Sequence, residues 1–133
     1  HVGLAAFTAV FTTLHVVVLA LDPWAGVGWA GVLLPLGAEY RPLPVTLGWL
    51  SLYAGLAAGL TARFAGQLGR IWFPLHRVTL ATYALVWAHG VWTGTDTGAL
   101  LPLYAASAVL VVSTAISRYA ASPIRTSLGG ARP

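Results

Sequence analysis

"HRVTLATYALVWAH", residues 76–89, is an almost wholly apolar stretch that begins and ends in histidine. Its interior can lie in a bilayer core, but an imidazole in hydrocarbon is costly unless something binds it. The chain opens on a similar stretch, "HVGLAAFTAVFTTLH", residues 1–15. All four histidines of the chain stand at the ends of these two stretches, as His1, His15, His76 and His89. What surrounds the two stretches, and what the imidazoles hold, decides both the fold and the chemistry.

Of the 133 residues, 58% are hydrophobic and only 8% are charged. A soluble domain carries roughly 25% charged residues, so most of this surface cannot face water. Cysteine is absent, which excludes disulfides, iron–sulfur clusters and thiolate chemistry. Lysine is absent too, so all seven basic residues are arginine. They are scattered singly between apolar runs, which gives no basic face for nucleic acid and points instead to orientation in a membrane. The chain also lacks methionine and begins at the edge of an apolar run. It therefore reads as a piece excised from a longer protein.

Four stretches approach the roughly 20 apolar residues that a bilayer crossing needs: about 2–21, 44–62, 73–92 and 99–117. The first stops at Asp22–Pro23 and the second runs from Pro44 to Arg63. The third carries Pro74 in its first turn, where a missing N–H costs little. "TGTDTG" then leads into the fourth, with Asp96 or Thr97 as N-cap. Residues 24–37, with Trp24 and Trp29, are too short and too rich in Gly and Pro to cross, and read as an interfacial segment. The expected fold is all-α, an integral membrane helical bundle with four transmembrane helices over residues 1–121, followed by a cytoplasmic tail, 122–133. Gly55 and Gly59 form a GxxxG step at which a neighbouring helix can approach closely.

Arg63, Arg70, Arg77, Arg118, Arg125 and Arg132 all fall on one side of this arrangement. Arg41 and the three acids, Asp22, Glu39 and Asp96, fall on the other. Arginine excess marks the cytoplasmic face, so the first span leaves the cytoplasm and the C-terminus returns to it.

His1 and His15 are 14 residues apart, and His76 and His89 are 13 apart. At about 1.5 Å rise per residue each separation is about 20 Å along a helix. The first and third spans run in the same direction, so His1 and His76 share the cytoplasmic level while His15 and His89 share the outer level. A single four-histidine metal site is excluded by that distance. Two-histidine zinc sites are poor, because structural zinc wants four ligands. A proton relay would be expected to include membrane carboxylates, and these spans have none. Haem iron takes two axial imidazoles while porphyrin supplies the other four nitrogens. Ala5, Ala6, Ala81, Ala84 and Ala88 leave room for the macrocycle. Two stacked b-type haems fit best; the bland alternative is four polar residues bonded to Thr or backbone between helices. One feature fits badly. At about 100° per residue, a 13-residue separation lands about 140° away from the starting face, so the third span must deviate locally or the two haems must be rotated.

The stretch "LGRIWFPLHRVTLATYALVWAHGVW" and the turn "HGVWTGTDT" resemble the ferric reductase-like transmembrane family. It includes ferric reductases, NADPH oxidase membrane domains and bacterial haem subunits of periplasmic reductases. Those proteins carry paired histidines, spaced 14 and 13, on two helices separated by one other. The resemblance runs from His1 to about Arg118. It implies that His1 and His76 ligate a cytoplasmic haem b, and that His15 and His89 ligate an outer one. It also implies a domain of roughly six helices, of which this chain is a fragment, in a bacterial-type plasma membrane. No GxGxxG follows the last span, so flavin and NAD(P)H would enter only through a missing domain or a partner.

The expected function is transmembrane electron transfer, as a component of an oxidoreductase. Electrons would pass from a flavoprotein or quinone donor to an outer-side acceptor. A haem-free structural anchor and a haem-binding sensor are the alternatives. Arg77, beside His76, is placed either for a haem propionate or for lipid phosphate. Arg70 reads as topological. Asp96 caps the fourth span or serves an acceptor site. Trp72, Trp87, Trp92, Tyr83 and Tyr104 read as packing residues.

Overall fold

The computed structural model describes residues 2–120, and side chains as far as residue 118. Every regular element among the described residues is helical. The chain divides into two compact units, residues 1–94 and residues 95–133.

The first unit begins with α1, Val2–Leu21. It contains no charged residue, and its hydroxyls bond back within the helix: Thr8 donates to the Leu4 carbonyl at 2.9 Å and Thr13 to Ala9 at 2.8 Å. Thr46, Ser51, Thr61, Thr79, Thr82 and Thr93 do likewise on later helices. Back-bonding satisfies a hydroxyl without water, which is the condition for placing it in hydrocarbon.

A 3₁₀ turn, Pro23–Ala25, follows, capped by the Asp22 carboxylate, which accepts from the Trp24 N–H at 2.9 Å. A short α2, Gly28–Leu33, comes next. This is the stretch expected at the interface, and Trp24 is 95% exposed on it. The turn at Gly26 requires its positive φ of 62°. There the Gly26 carbonyl accepts from both Glu39 and Tyr40 N–H at 2.9 Å. Trp49 Nε1 donates to Leu33 O at 2.8 Å, and Leu36 N–H donates to Thr46 Oγ1 at 2.8 Å. Together these bonds fasten the connecting segment to the start of α3.

α3, Pro42–Arg63, opens on proline at its first position, where the lost N–H is one the helix cannot use. It is the spine of the unit. A stripe of small residues spaced three and four apart, Gly48, Ser51, Gly55 and Ala58, runs along it. Ser51 and Ala58 are buried, while Gly48 lies against His89 and Gly55 against Thr82. Small side chains let two helix backbones close up. The expected GxxxG step is therefore half right: Gly59 has nothing within 4 Å of where its side chain would be.

After α4, Ala65–Leu68, and a 3₁₀ turn, Gly69–Ile71, the chain enters α5, Trp72–His76, and α6, Val78–Thr93. The single helix expected over 73–92 is thus interrupted at Arg77. Arg77 N–H is shared between the Phe73 and Pro74 carbonyls at 3.2 Å, and Leu80 N–H reaches the Arg77 carbonyl at 3.1 Å. These i→i+3 bonds tighten the turn. Both α5 and α6 pack on α3, whereas α1 leans on α2.

The second unit is described by α7, Thr97–Ala120. Asp96 occupies the N-cap position, its carbonyl accepting from Leu100 N–H at 3.1 Å. The side-chain cap expected of Asp96 is a separate matter from this backbone bond.

Among the described residues, three helices are long and apolar enough to cross a membrane: Val2–Leu21, Pro42–Arg63 and Thr97–Arg118. Their apolar side chains point outward, with Val2 81% and Leu4 75% exposed. A surface of this kind belongs in lipid. α6 alone, at 16 residues, is about 24 Å long and shorter than the roughly 30 Å hydrocarbon layer.

Candidate functional site

His15 lies on α1 and His89 on α6, each within the last two turns of its helix. Their ring centres lie 6.4 Å apart with planes nearly perpendicular, at 83°. No direct hydrogen bond is needed to explain this spacing. An imidazole nitrogen binds a divalent metal at about 2 Å. Two rings on opposite sides of one ion would then have centres roughly 6 Å apart.

The state of the His89 ring follows from its partner. Its Nδ1 is 2.9 Å from the Pro44 carbonyl. A carbonyl only accepts, so Nδ1 carries a proton and donates; in the neutral ring the lone pair is then on Nε2. The ring lies over Gly48, where a Cβ would come within 2.7 Å of both Cε1 and Nδ1. Thr93 Oγ1 donates to the His89 carbonyl at 2.6 Å.

One turn beyond, the connecting segment grips the end of α6. Tyr40 Oη donates to the Thr93 carbonyl at 2.9 Å, and the Arg41 guanidinium donates to the Trp92 carbonyl. Arg41 adopts a left-handed backbone, with φ 41°, and lies over the Tyr40 ring at 5.3 Å. The start of α3 therefore meets the end of α6, and the two run antiparallel. The same end of the unit carries Asp22, Glu39 and Arg41, while Arg63, Arg70 and Arg77 belong to the other.

At that other end His76 stacks on Trp72, with ring centres 5.0 Å apart and planes 19° apart. The Arg77 guanidinium lies 5.4 Å over the Phe73 ring. His1, expected opposite His76, lies outside the described residues. The interruption at Arg77 falls between His76 and His89, on the span whose 13-residue spacing fitted an ideal helix badly. A 3₁₀ turn winds about 120° per residue against about 100° for an α-helix, so each such residue rotates His76 about 20° toward the face of His89.

Among the described residues, no three His, Cys, Asp or Glu side chains gather into a group that could hold a metal. The His15–His89 pair offers two donors at most, so an ion held there would have to bring most of its ligands with it. Haem iron meets that condition, needing two axial imidazoles and arriving with four nitrogens of its own. Tetrahedral structural zinc does not.

Two features of this site were not picked out from the sequence. Gly48 and the Pro44 carbonyl carried a faint signal, since Gly48, Ser51, Gly55 and Ala58 follow helical spacing. The Tyr40–Arg41 grip carried none, because it joins residues about 50 positions apart. No protein-family model, no curated protein and no solved structure matches the chain.

Proposed function

We propose that this chain is the membrane part of an electron-transfer protein of the ferric reductase-like kind. In this reading it crosses the bilayer four times, α5 and α6 together making the third crossing, with its C-terminus in the cytoplasm. Two haems b lie one above the other, the outer held by His15 and His89, the inner by His1 and His76. The observation that carries the reading is the His15–His89 pair: two imidazoles with ring centres 6.4 Å apart, close to the spacing one iron requires, and among the described residues no third His, Cys, Asp or Glu completing a group with them.

When bound, haem supplies one-electron chemistry at iron. The chain's own residues do the rest. His15 and His89 would hold the iron from two helices. His15 is exposed on α1, so it is the surrounding bilayer that would keep water from the site and set its electrostatic surroundings. Arg77, beside His76, is the cation suited to an anionic propionate edge. The donor, a flavoprotein or quinone, and the outer-side acceptor belong to other domains or partners.

A reduced-minus-oxidised spectrum of the protein purified from its full-length gene tests the proposal. It should show b-type haem at two per chain. A haem-free preparation that is folded and monodisperse would overturn it and favour the structural anchor. Two haems that accept electrons but never pass them across a sealed vesicle would favour the sensor.

A further inference from the structure

We propose that Gly48 and the Pro44 carbonyl form a seat on α3 that sets the orientation and tautomer of His89, and through them the electron-donating strength of its Nε2.

Three observations meet at this one ring. The Pro44 carbonyl accepts from Nδ1 at 2.9 Å. A carbonyl has two lone pairs, so it can serve both its helix and an imidazole. Gly48, one turn on, leaves the space the ring fills, and a methyl there would stand 2.7 Å from Cε1 and Nδ1. The centre of the His15 ring lies 6.4 Å from that of His89. Ring, acceptor and gap therefore belong to the pairing of α3 with α6, and α1 takes no part in making them.

The chemical consequence is directional. An imidazole that donates from Nδ1 becomes a stronger donor at Nε2, and such outer partners tune both affinity and potential. A stronger donor favours the oxidised ion, so the seat lowers the reduction potential of the outer site. Fixing the ring before anything binds also reduces the ordering cost of binding. This consequence for iron rests on the proposed function; the seat itself does not.

The test uses the full-length protein in nanodiscs with ¹⁵N-labelled histidine, and assigns the His89 signal by its loss in His89→Gln. In the unsubstituted protein the ring proton of His89 should sit on Nδ1 and exchange slowly with solvent. Gly48→Ala should make that proton exchange at least tenfold faster. Gly55→Ala should leave it unchanged, because its Cβ meets only Thr82 Cγ2 at an ordinary 3.6 Å. A proton found on Nε2 in the unsubstituted protein, or Gly48→Ala exchange equal to the parent's, overturns the seat. The first of these outcomes requires no variant to fold. A redox titration of the same samples should show Gly48→Ala moving one b-haem component and leaving the other. Unsubstituted protein without haem would reject the proposed function, while the exchange result would still decide the seat.

Discussion

Arg41 holds an unusual backbone for a purpose that its side chain explains. A non-glycine residue in the left-handed region costs roughly 1–2 kcal/mol, and Arg41 sits there at φ 41°. The turn points its guanidinium at the Trp92 carbonyl while Tyr40 reaches that of Thr93. Both carbonyls belong to the last turn of α6, which has no intrahelical partner for them. Tyr40→Phe should cost about 1 kcal/mol of stability, read by denaturant unfolding in detergent. Arg41→Ala and Arg41→Gly both lose the grip, but glycine avoids the backbone cost. Arg41→Gly should therefore be about 1 kcal/mol more stable than Arg41→Ala. Equal stabilities would show that the left-handed turn carries no strain. At this scale the sequence revealed the histidines, because polar residues stand out in apolar runs. It did not reveal their supports, because a glycine, a proline carbonyl and an arginine before a proline look ordinary until distant positions meet.

Among the elements, the pairing of α3 with α6 carries the site. Its seam is the small-residue stripe Gly48, Ser51, Gly55 and Ala58, and Gly59 lies off it. Ala58→Leu should overfill the seam and destabilise by about 1–3 kcal/mol. Gly59→Ala should stabilise by about 0.5–1 kcal/mol, because alanine suits a helix interior better than glycine and its Cβ meets nothing here. A destabilising Gly59→Ala would return the GxxxG step to the interface. Helix existence was legible from apolar length alone, and α1 spans the expected residues 2–21. The interruption at Arg77 was not, since hydropathy is blind to a few carbonyls changing partners. Its one trace was the 13-residue histidine spacing, which an unbroken helix accommodates poorly.

For the molecule as a whole, three helices suited to a membrane and an outward apolar surface place it in a bilayer. The proposed orientation puts Arg63, Arg70 and Arg77 in the cytoplasm and Trp24 outside. These 133 residues contain no cysteine, so single thiols introduced here, with any cysteine elsewhere in the full-length protein replaced, report sidedness. Gln67→Cys should react with an impermeant maleimide only after cells are opened, and Trp24→Cys in intact cells. The reverse pattern would invert the topology. The bilayer class was plain in the composition, whereas the partner at each face is not encoded in an apolar surface, which lipid and protein cover equally well. His15 and His89 are proposed to grip one iron between two helices. The most direct measurement is a redox titration, followed by optical and electron paramagnetic resonance spectra, of His15→Ala, His89→Ala and His76→Ala in the full-length protein. His15→Ala and His89→Ala should abolish the same haem component, and His76→Ala the other. Loss of different components in His15→Ala and His89→Ala, or of neither, would contradict the pairing.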